Sequence, residues 1–380
     1  MNEWDLCTTS DELKEKIWTK NRSFSGDVWF RFRHKLTAVI GLIIIILMII
    51  FSFIAPHFTK FKYDEQNLAF SNIPFRMHVT KINNRYYYLS SNLKIIEVSE
   101  DGKLIQSLSL KEENGMKKTM TFTDGTNDIY ISYLKKPATF VDNQGKKITA
   151  VEKKWNKTFL LGSDFLGRDM LTRLMYGSRI SLIVALIATI VNMTIGILYG
   201  GISGYKGGLT DSVMMRIVDI ISTIPLTLYV ILIMVVLNNG FLSIIIALSS
   251  VYWVSMARIV RGQIISLKES EFVYAARTIG SSSKTILFKH LLPNAMGPIL
   301  VTATMLIPSA IFIEAFLGFI GLGIAPPMAS LGTMCNDSLQ TLRTAPYQLF
   351  LPSLLICITM FGFSYVGDGL RDALDPKLKK

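Results

Sequence analysis

Apolar residues gather in long runs free of Asp, Glu, Lys and Arg, at 36–59, 180–205, 220–257, 290–313 and 344–367. A helix needs about 20 such residues to cross a bilayer, because lipid offers no partner to backbone N–H and C=O groups. The 220–257 run is long enough for two helices, and Asn238, Asn239 and Gly240 break it near its middle, as a tight turn does. The last run is best bounded at 347–366. The pattern predicts six transmembrane helices. Another charge-free stretch, 315–336, holds Gly318, Gly321, Gly323, Pro326, Pro327 and Gly332. So many breakers make a poor lipid-exposed helix. They predict a broken helix or re-entrant turn lodged against other protein.

Between the first two runs the pattern changes. Residues 60–156 are rich in Lys, Asn, Thr and Tyr. Short alternating runs at 94–99 and 103–110 flank Glu100-Asp101-Gly102, and runs at 120–122 and 129–133 flank residues 124–128. Both are hairpin signals and predict a small β-rich insert. Asp124, Asn127 and Asp128 lack the spacing and closing Glu of a calcium loop, so they read as a plain turn.

Composition agrees with a membrane chain: 50% of residues are hydrophobic and 18% charged, where soluble domains carry about a quarter charged residues. That excludes a simple soluble enzyme. The net charge of +12 is dispersed along the chain. No compact basic face is evident, which argues against a nucleic-acid partner. Short-loop Lys and Arg set orientation. Segments 1–35, 206–219, 258–290 and 367–380 carry 7, 2, 6 and 4 of them, whereas 238–240 has none and 314–346 has only Arg343. Both termini are therefore expected in the cytoplasm, with 59–179 outside, since long loops translocate largely regardless of charge. The first 35 residues are polar and no A-x-A site follows the first apolar run, so no cleavable signal peptide is expected. Cys7, Cys335 and Cys357 stand apart, and His34, His57, His78 and His290 are scattered. Neither a disulfide framework nor a metal site is expected.

Two polar segments carry more information. In LGSDFLGRDMLTRLMYGSRISL, residues 161–182, Ser163 or Asp164 suits a helix start. Asp164/Arg168 and Asp169/Arg173 are i,i+4 pairs in the favourable order. Phe165, Leu166, Met170, Leu174 and Met175 form an apolar stripe, which predicts an amphipathic helix on the outer leaflet. In the 258–293 connection, 271–279 is helix-prone, Gly280 suits a left-handed stop, and Ser281–Ser283 can cap a short helix over 284–289. Pro293 then falls in the first turn of the next span. Two short helices meeting at a glycine form a knob able to take force from a soluble partner. Gly280–Thr285 is not a phosphate loop, because Ser283 stands where the second glycine is needed. Within the spans, Asn192, Thr194, Tyr199 and Glu314 are candidates for a translocation path.

These segments resemble those of an ABC importer permease of the dipeptide/oligopeptide/nickel class, in particular its C-type membrane subunit. The connection resembles the EAA signature, E-A-A-x3-G-x9-I-x-L-P: Ala275, Ala276, Gly280, Leu292 and Pro293 stand at its spacing. Tyr274 occupies the Glu position, with Glu271 one turn earlier, and His290 replaces the Ile, as in the peptide branch. Residues 161–182 resemble L-G-[ST]-D-x-x-G-R-D-x-x-[ST]-R-x3-G-x-R-x-S. Residues 314–327 resemble E-A-x-L-S-F-L-G-L-G-x-x-P-P, and 367–376 resemble the usual ending. The likeness covers 157–380 closely and 1–59 loosely. It leaves the insert without an inherited role.

The resemblance implies an all-α polytopic membrane protein of the type I ABC importer permease fold. It would comprise a cytoplasmic segment 1–35, a first helix 36–59, an extracytoplasmic β-rich insert 60–156 and a permease core 157–380. It implies import of oligopeptides or dipeptides, or alternatively of nickel or a metal chelate. The partners implied are a second, B-type permease subunit, two cytoplasmic ATP-binding subunits and an extracytoplasmic binding protein or lipoprotein, in a bacterial cytoplasmic membrane. ATP and Mg would sit in the ATPase subunits, with no cofactor and no catalytic residue in this chain. The coupling loop would be Glu271, Tyr274, Ala275, Ala276, Gly280, His290 and Pro293. Other classes fit less well. A membrane sensor or receptor with an outer domain needs a cytoplasmic output domain, for which the residues after Gly367 are too few. A secondary transporter usually shows internal repeats, which are not evident here.

Overall fold

The computed structural model describes residues 24–125, 127–135, 137–148 and 151–374. Cys7 and the charges of 1–23 and 375–380 lie outside the described residues. The helices are α1 (Phe24–His34), α2 (Leu36–Ile49), α3 (Met170–Lys206), α4 (Gly208–Thr223), α5 (Leu226–Leu237), α6 (Phe241–Ser249), α7 (Trp253–Lys268), α8 (Glu271–Thr278), α9 (Ser283–Thr285), α10 (Leu292–Phe319), α11 (Leu331–Asp337) and α12 (Tyr347–Leu374). Among the described residues, five stretches are long and apolar enough to cross a membrane: Leu36–Phe58, Met170–Lys206, Phe241–Lys268, Ser283–Phe319 and Tyr347–Leu374. The pair α4 and α5, bent by 84°, makes a sixth if counted as one span.

The bend falls within the apolar run that predicts the third helix, and Pro225 causes it. A residue before proline is driven out of the helical region, and Ile224 is extended at ψ 128°. Helix α4 also begins well before the apolar run, because its charged face is helical too. Beyond the turn at Asn238, whose φ is 64°, a second break between Ser249 and Trp253 divides α6 from α7.

The bundle is built on close approaches between α3 and α7. A Cβ on Gly196, Gly200 or Gly204 would meet Met256 Cβ at 2.5 Å, Ala257 O at 2.2 Å or Arg261 O at 2.9 Å. Four-residue spacing puts the three glycines on one helix face, and small residues let helix backbones touch where no water drives them together. One apolar core joins Val184, Ala185 and Ala188 of α3 to Leu248 of α6 and Ile311 of α10. A second joins Met256, Val260 and Ile264 of α7 to Leu292, Ala295 and Ile299 of α10.

The stretch 315–336 behaves as its breakers suggest. Helix α10 stops at Phe319, the chain loops through a cis Pro326–Pro327 bond, and α11 restarts at Leu331 behind a capping box from Ser330 and Thr333. The loop returns against α10 so tightly that a Cβ on Gly332 would lie 2.4 Å from Ala315 O.

Among its described residues the insert holds nine strands, β1 (Arg76–Ile82), β2 (Arg85–Leu89), β3 (Ile95–Val98), β4 (Leu104–Ser107), β5 (Ser109–Asn114), β6 (Thr119–Thr123), β7 (Asp128–Ser132), β8 (Thr139–Val141) and β9 (Val151–Trp155). They form two antiparallel sheets, ordered β4-β3-β2-β1-β9 and β5-β6-β7-β8. Strands β3 (Ile95–Val98) and β4 (Leu104–Ser107) pair as the first predicted hairpin, and β6 (Thr119–Thr123) and β7 (Asp128–Ser132) as the second. Alternation decides the facing: Ile129 and Ile131 of β7 meet Tyr87 and Ile95 of the other sheet between the layers.

Residues 161–182 do not form one amphipathic surface helix. Gly162 and Gly167 have φ of 82° and 74°, and Asp164 Oδ1 accepts from the backbone N–H of Leu166 and Arg168. Those bonds hold 161–169 as a loop in competition with helix. The start moves to Met170, capped by Asp169 rather than Ser163 or Asp164. Met170, Leu174 and Met175 are buried, so most of the predicted stripe faces protein rather than lipid. With Asp169 occupied as a cap, Arg173 pairs with Asp164 and Asp337, and the expected Asp169/Arg173 pair does not form.

Candidate functional site

The connection between α7 and α10 forms the predicted knob, with one change. Helix α8 ends on Gly280 at φ 80°. Ser281 N–H donates to Ala276 O at 3.0 Å and Gly280 N–H to Arg277 O at 2.9 Å, the bond pair of a left-handed helix stop. Ser282 caps the next turn, accepting from Thr285 N–H. The second helix, however, is not a separate 284–289 unit. It runs through a π-turn, Ile286–Leu291, straight into α10. Pro293 lacks an N–H and its ring would crowd the carbonyl four residues back, and a π-turn is a local way to relieve that conflict within a continuous helix.

Burial divides the knob into an anchor and a working face. Val273 and Ala276 are buried in the core shared by α7 and α10, together with Ile286, Leu287 and Leu291. Glu271, Phe272, Tyr274, Ala275, Ile279, Gly280 and Pro293 are exposed, Ile279 by 84%. His290 is half-buried, and its carbonyl accepts from Asn294 Nδ2 at 2.6 Å. Tyr274 Oη donates to the Glu269 carboxylate, which holds the phenol above its usual pKa, and Arg277 lies over the ring at 5.7 Å. A carboxylate thus stands beside Tyr274, though Glu271 does not supply it. Ala275 and Gly280 leave room for close approach, and a Cβ at Gly280 would meet no described residue within 4 Å.

Ionic ties extend the anchor to α4. Arg261 of α7 grips Asp211 with Nε at 2.6 Å and Nη2 at 2.5 Å, and Ser203 of α3 also donates to Asp211. Arg258 holds Asp219 at 3.0 Å and Ser222 at 2.6 Å. Such forked bonds fix orientation as well as distance. Sequence reasoning missed these pairs because their partners lie on different helices.

The path candidates do not converge. Asn192 is buried, and its Oδ1 has no partner among the described residues. Thr194 is exposed and bonds back to Ile190 O of its own helix at 2.8 Å. Tyr199 donates to Met214 O at 2.8 Å and packs edge-on against Trp253. Glu314 is fully buried and accepts from Ser181 Oγ at 2.8 Å, roughly three helical turns along α3 from Asn192. Ser181→Ala is expected to cost about 1 kcal/mol by removing that donor, seen as a lowered Tm with unchanged insertion. An unchanged Tm would show that the bond contributes nothing.

The opposite end of the bundle carries a polar collar. Tyr347 Oη donates to Ser163 O at 2.6 Å and Gln348 Nε2 to Asn72 Oδ1 at 2.9 Å, tying α12 to the segments entering and leaving the β unit. Beside it, Arg168 Nε and Arg173 Nη1 each lie 2.6 Å from Asp164 Oδ2.

The chain is similar to known membrane transport proteins. Residues 192–380 match the family described as "Binding-protein-dependent transport system inner membrane component", and 23–74 match the "N-terminal TM domain of oligopeptide transport permease C". The oligopeptide transport system permease protein OppC of Bacillus subtilis is 39% identical over 96% of this chain and 94% of its own. The dipeptide transport system permease protein DppC of the same organism is 50% identical over 58% of this chain and 69% of its own. OppC of Escherichia coli K12 is 32% identical over 97% and 96%. A solved MetNI methionine ABC transporter overlays 54% of this chain and 98% of its own at TM-score 0.47 and 19% identity. On the full-length similarity to OppC, the protein belongs to the oligopeptide and dipeptide permease family of binding-protein-dependent transport systems, as a C-type multi-pass membrane subunit.

Proposed function

We propose that this chain forms half of the translocation path of an ATP-driven peptide importer, oligopeptides or dipeptides being the substrates. Its companions are a B-type permease subunit, two cytoplasmic ATP-binding subunits holding ATP and Mg, and an extracytoplasmic binding protein. The knob faces the cytoplasm, as do both termini, and the β unit lies outside. One observation carries the reading: the exposed face of α8 is rigidly continuous, through Val273 and Ala276, with the cores of α7 and α10. Movement of a partner against Tyr274, Ala275, Ile279 and Gly280 must therefore displace two spanning stretches together. Glu271, His290 and Pro293 flank that contact. For the path, Thr194 lies on an exposed face of α3, while Tyr199 and Glu314 tie α3 to neighbouring helices and Asn192 is buried with its Oδ1 unpartnered among the described residues.

The test is gentle extraction through a C-terminal tag, with peptide uptake measured in cells lacking the gene. A second permease, ATPases and a peptide-binding lipoprotein should travel with the chain, and uptake should fall. A chain that purifies alone while uptake is unaffected would defeat the reading.

A further inference from the structure

The 161–173 segment is left without a role by coupling, and it borders a cavity. This cavity, of about 220 Å³, lies at the end of the bundle opposite the knob. It is enclosed by the 318–329 loop, and Arg168, Arg173, Asp337, Asn239, Thr333 and Asn336 supply its polar lining. Arg168 and Arg173 are each more than nine-tenths buried. Burial of two guanidiniums demands counter-charge, and Asp164 provides the tight part of it, at 2.6 Å from each.

Asp337 is held differently. Its Oδ2 lies 3.2 Å from Arg173 Nη2 and 3.5 Å from Arg168 Nη2, and its side chain is 33% exposed. Most guanidinium N–H groups here have no hydrogen-bond partner among the described residues; Arg168 Nε and Arg173 Nη1 and Nη2 make the bonds. A pair of buried arginines with spare donors, aimed into a cavity and covered by a loosely held acid, is a site for a second carboxylate. Planar guanidinium groups bind carboxylates through paired bonds, which a neutral amide cannot match.

We infer that this cavity receives the C-terminal carboxylate of the transported peptide, which displaces Asp337 from Arg168 and Arg173 as the peptide enters. The volume admits a chain end and little more. The inference rests on the importer reading, which places this end of the bundle outside.

The test uses the permease pair with its ATPases in nanodiscs, without the binding protein. Equilibrium binding of labelled tri-alanine is compared with that of tri-alanine amide. The free acid should bind about tenfold more tightly, the scale of a charge-assisted paired contact. Asp337→Asn should strengthen binding of the acid several-fold and leave the amide unchanged. Arg168→Lys, which keeps the charge but loses the fork, should remove most of the preference. Equal binding of acid and amide to the unmodified complex would overturn the inference. So would Asp337→Asn and Arg168→Lys shifting both ligands alike. The same complex, supplied with its binding protein, separates the two levels: peptide transport without carboxylate preference defeats this site alone, whereas no peptide transport defeats the importer reading.

Discussion

Gly200→Leu is expected to leave almost no folded permease, the largest effect of any single change considered. The cause lies in the seam between α3 and α7. A Cβ at Gly200 would sit 2.2 Å from Ala257 O and 3.0 Å from Ala257 Cα, against backbone rather than against the flexible end of a side chain. Overpacking a core that can relax costs about 1–3 kcal/mol, and a backbone wall cannot relax without separating the helices. Separation would also open the core around Met256 and Val260 that anchors the knob. The matched control is Gly262→Leu on α7, where a Cβ would meet no described residue within 4 Å. The measurement is the monodisperse yield after solubilisation and the Tm of whatever remains. Gly200→Leu protein recovered at control yield with a Tm near that of the parent would show that the seam is not what holds the bundle.

The glycines of that seam are legible as residues four apart, but their partner helix is not. The same limit recurs elsewhere. Hydropathy locates the spans because a lipid-crossing helix must be long and apolar whatever it packs against. The hairpins around Gly102 and Gly125 are legible because turn chemistry is local. The bend at Pro225 is not legible from hydropathy, since the apolar run continues across the proline. At 161–169 a local rule misleads: i,i+4 spacing suggests helix, while the Asp164 carboxylate has better partners in its own loop and in Arg173. Asp211 with Arg261, and Asp337 with the two arginines, join residues far apart in the chain, where no periodic pattern reports them. The knob residues are legible because they form one contiguous segment. The path candidates stand out by polarity alone, and the structure distributes them over separate contacts.

Gly280→Asp should abolish transport-coupled ATP hydrolysis while the chain still inserts and folds. Position 280 needs a left-handed backbone, at φ 80°. A side chain there costs roughly 1–2 kcal/mol from that geometry alone. The cost falls on the stop of α8 and not on the membrane bundle, because a Cβ there meets no described residue within 4 Å. Val273 and Ala276 would keep the helix seated. What changes is the face offered to a partner: a carboxylate beside exposed Ile279 must be desolvated when a subunit closes over it, which is costly for an unpaired charge. Gly280→Asn separates the two contributions, since Asn tolerates the same backbone region and carries no charge. Asn should therefore keep a substantial fraction of coupled hydrolysis where Asp keeps nearly none. Peptide-stimulated ATPase activity of the reconstituted complex reads this, with the Tm of the complex as the check on folding. Equal losses for Asn and Asp would place the defect in the backbone stop, and full activity of both would remove α8 from the coupling contact.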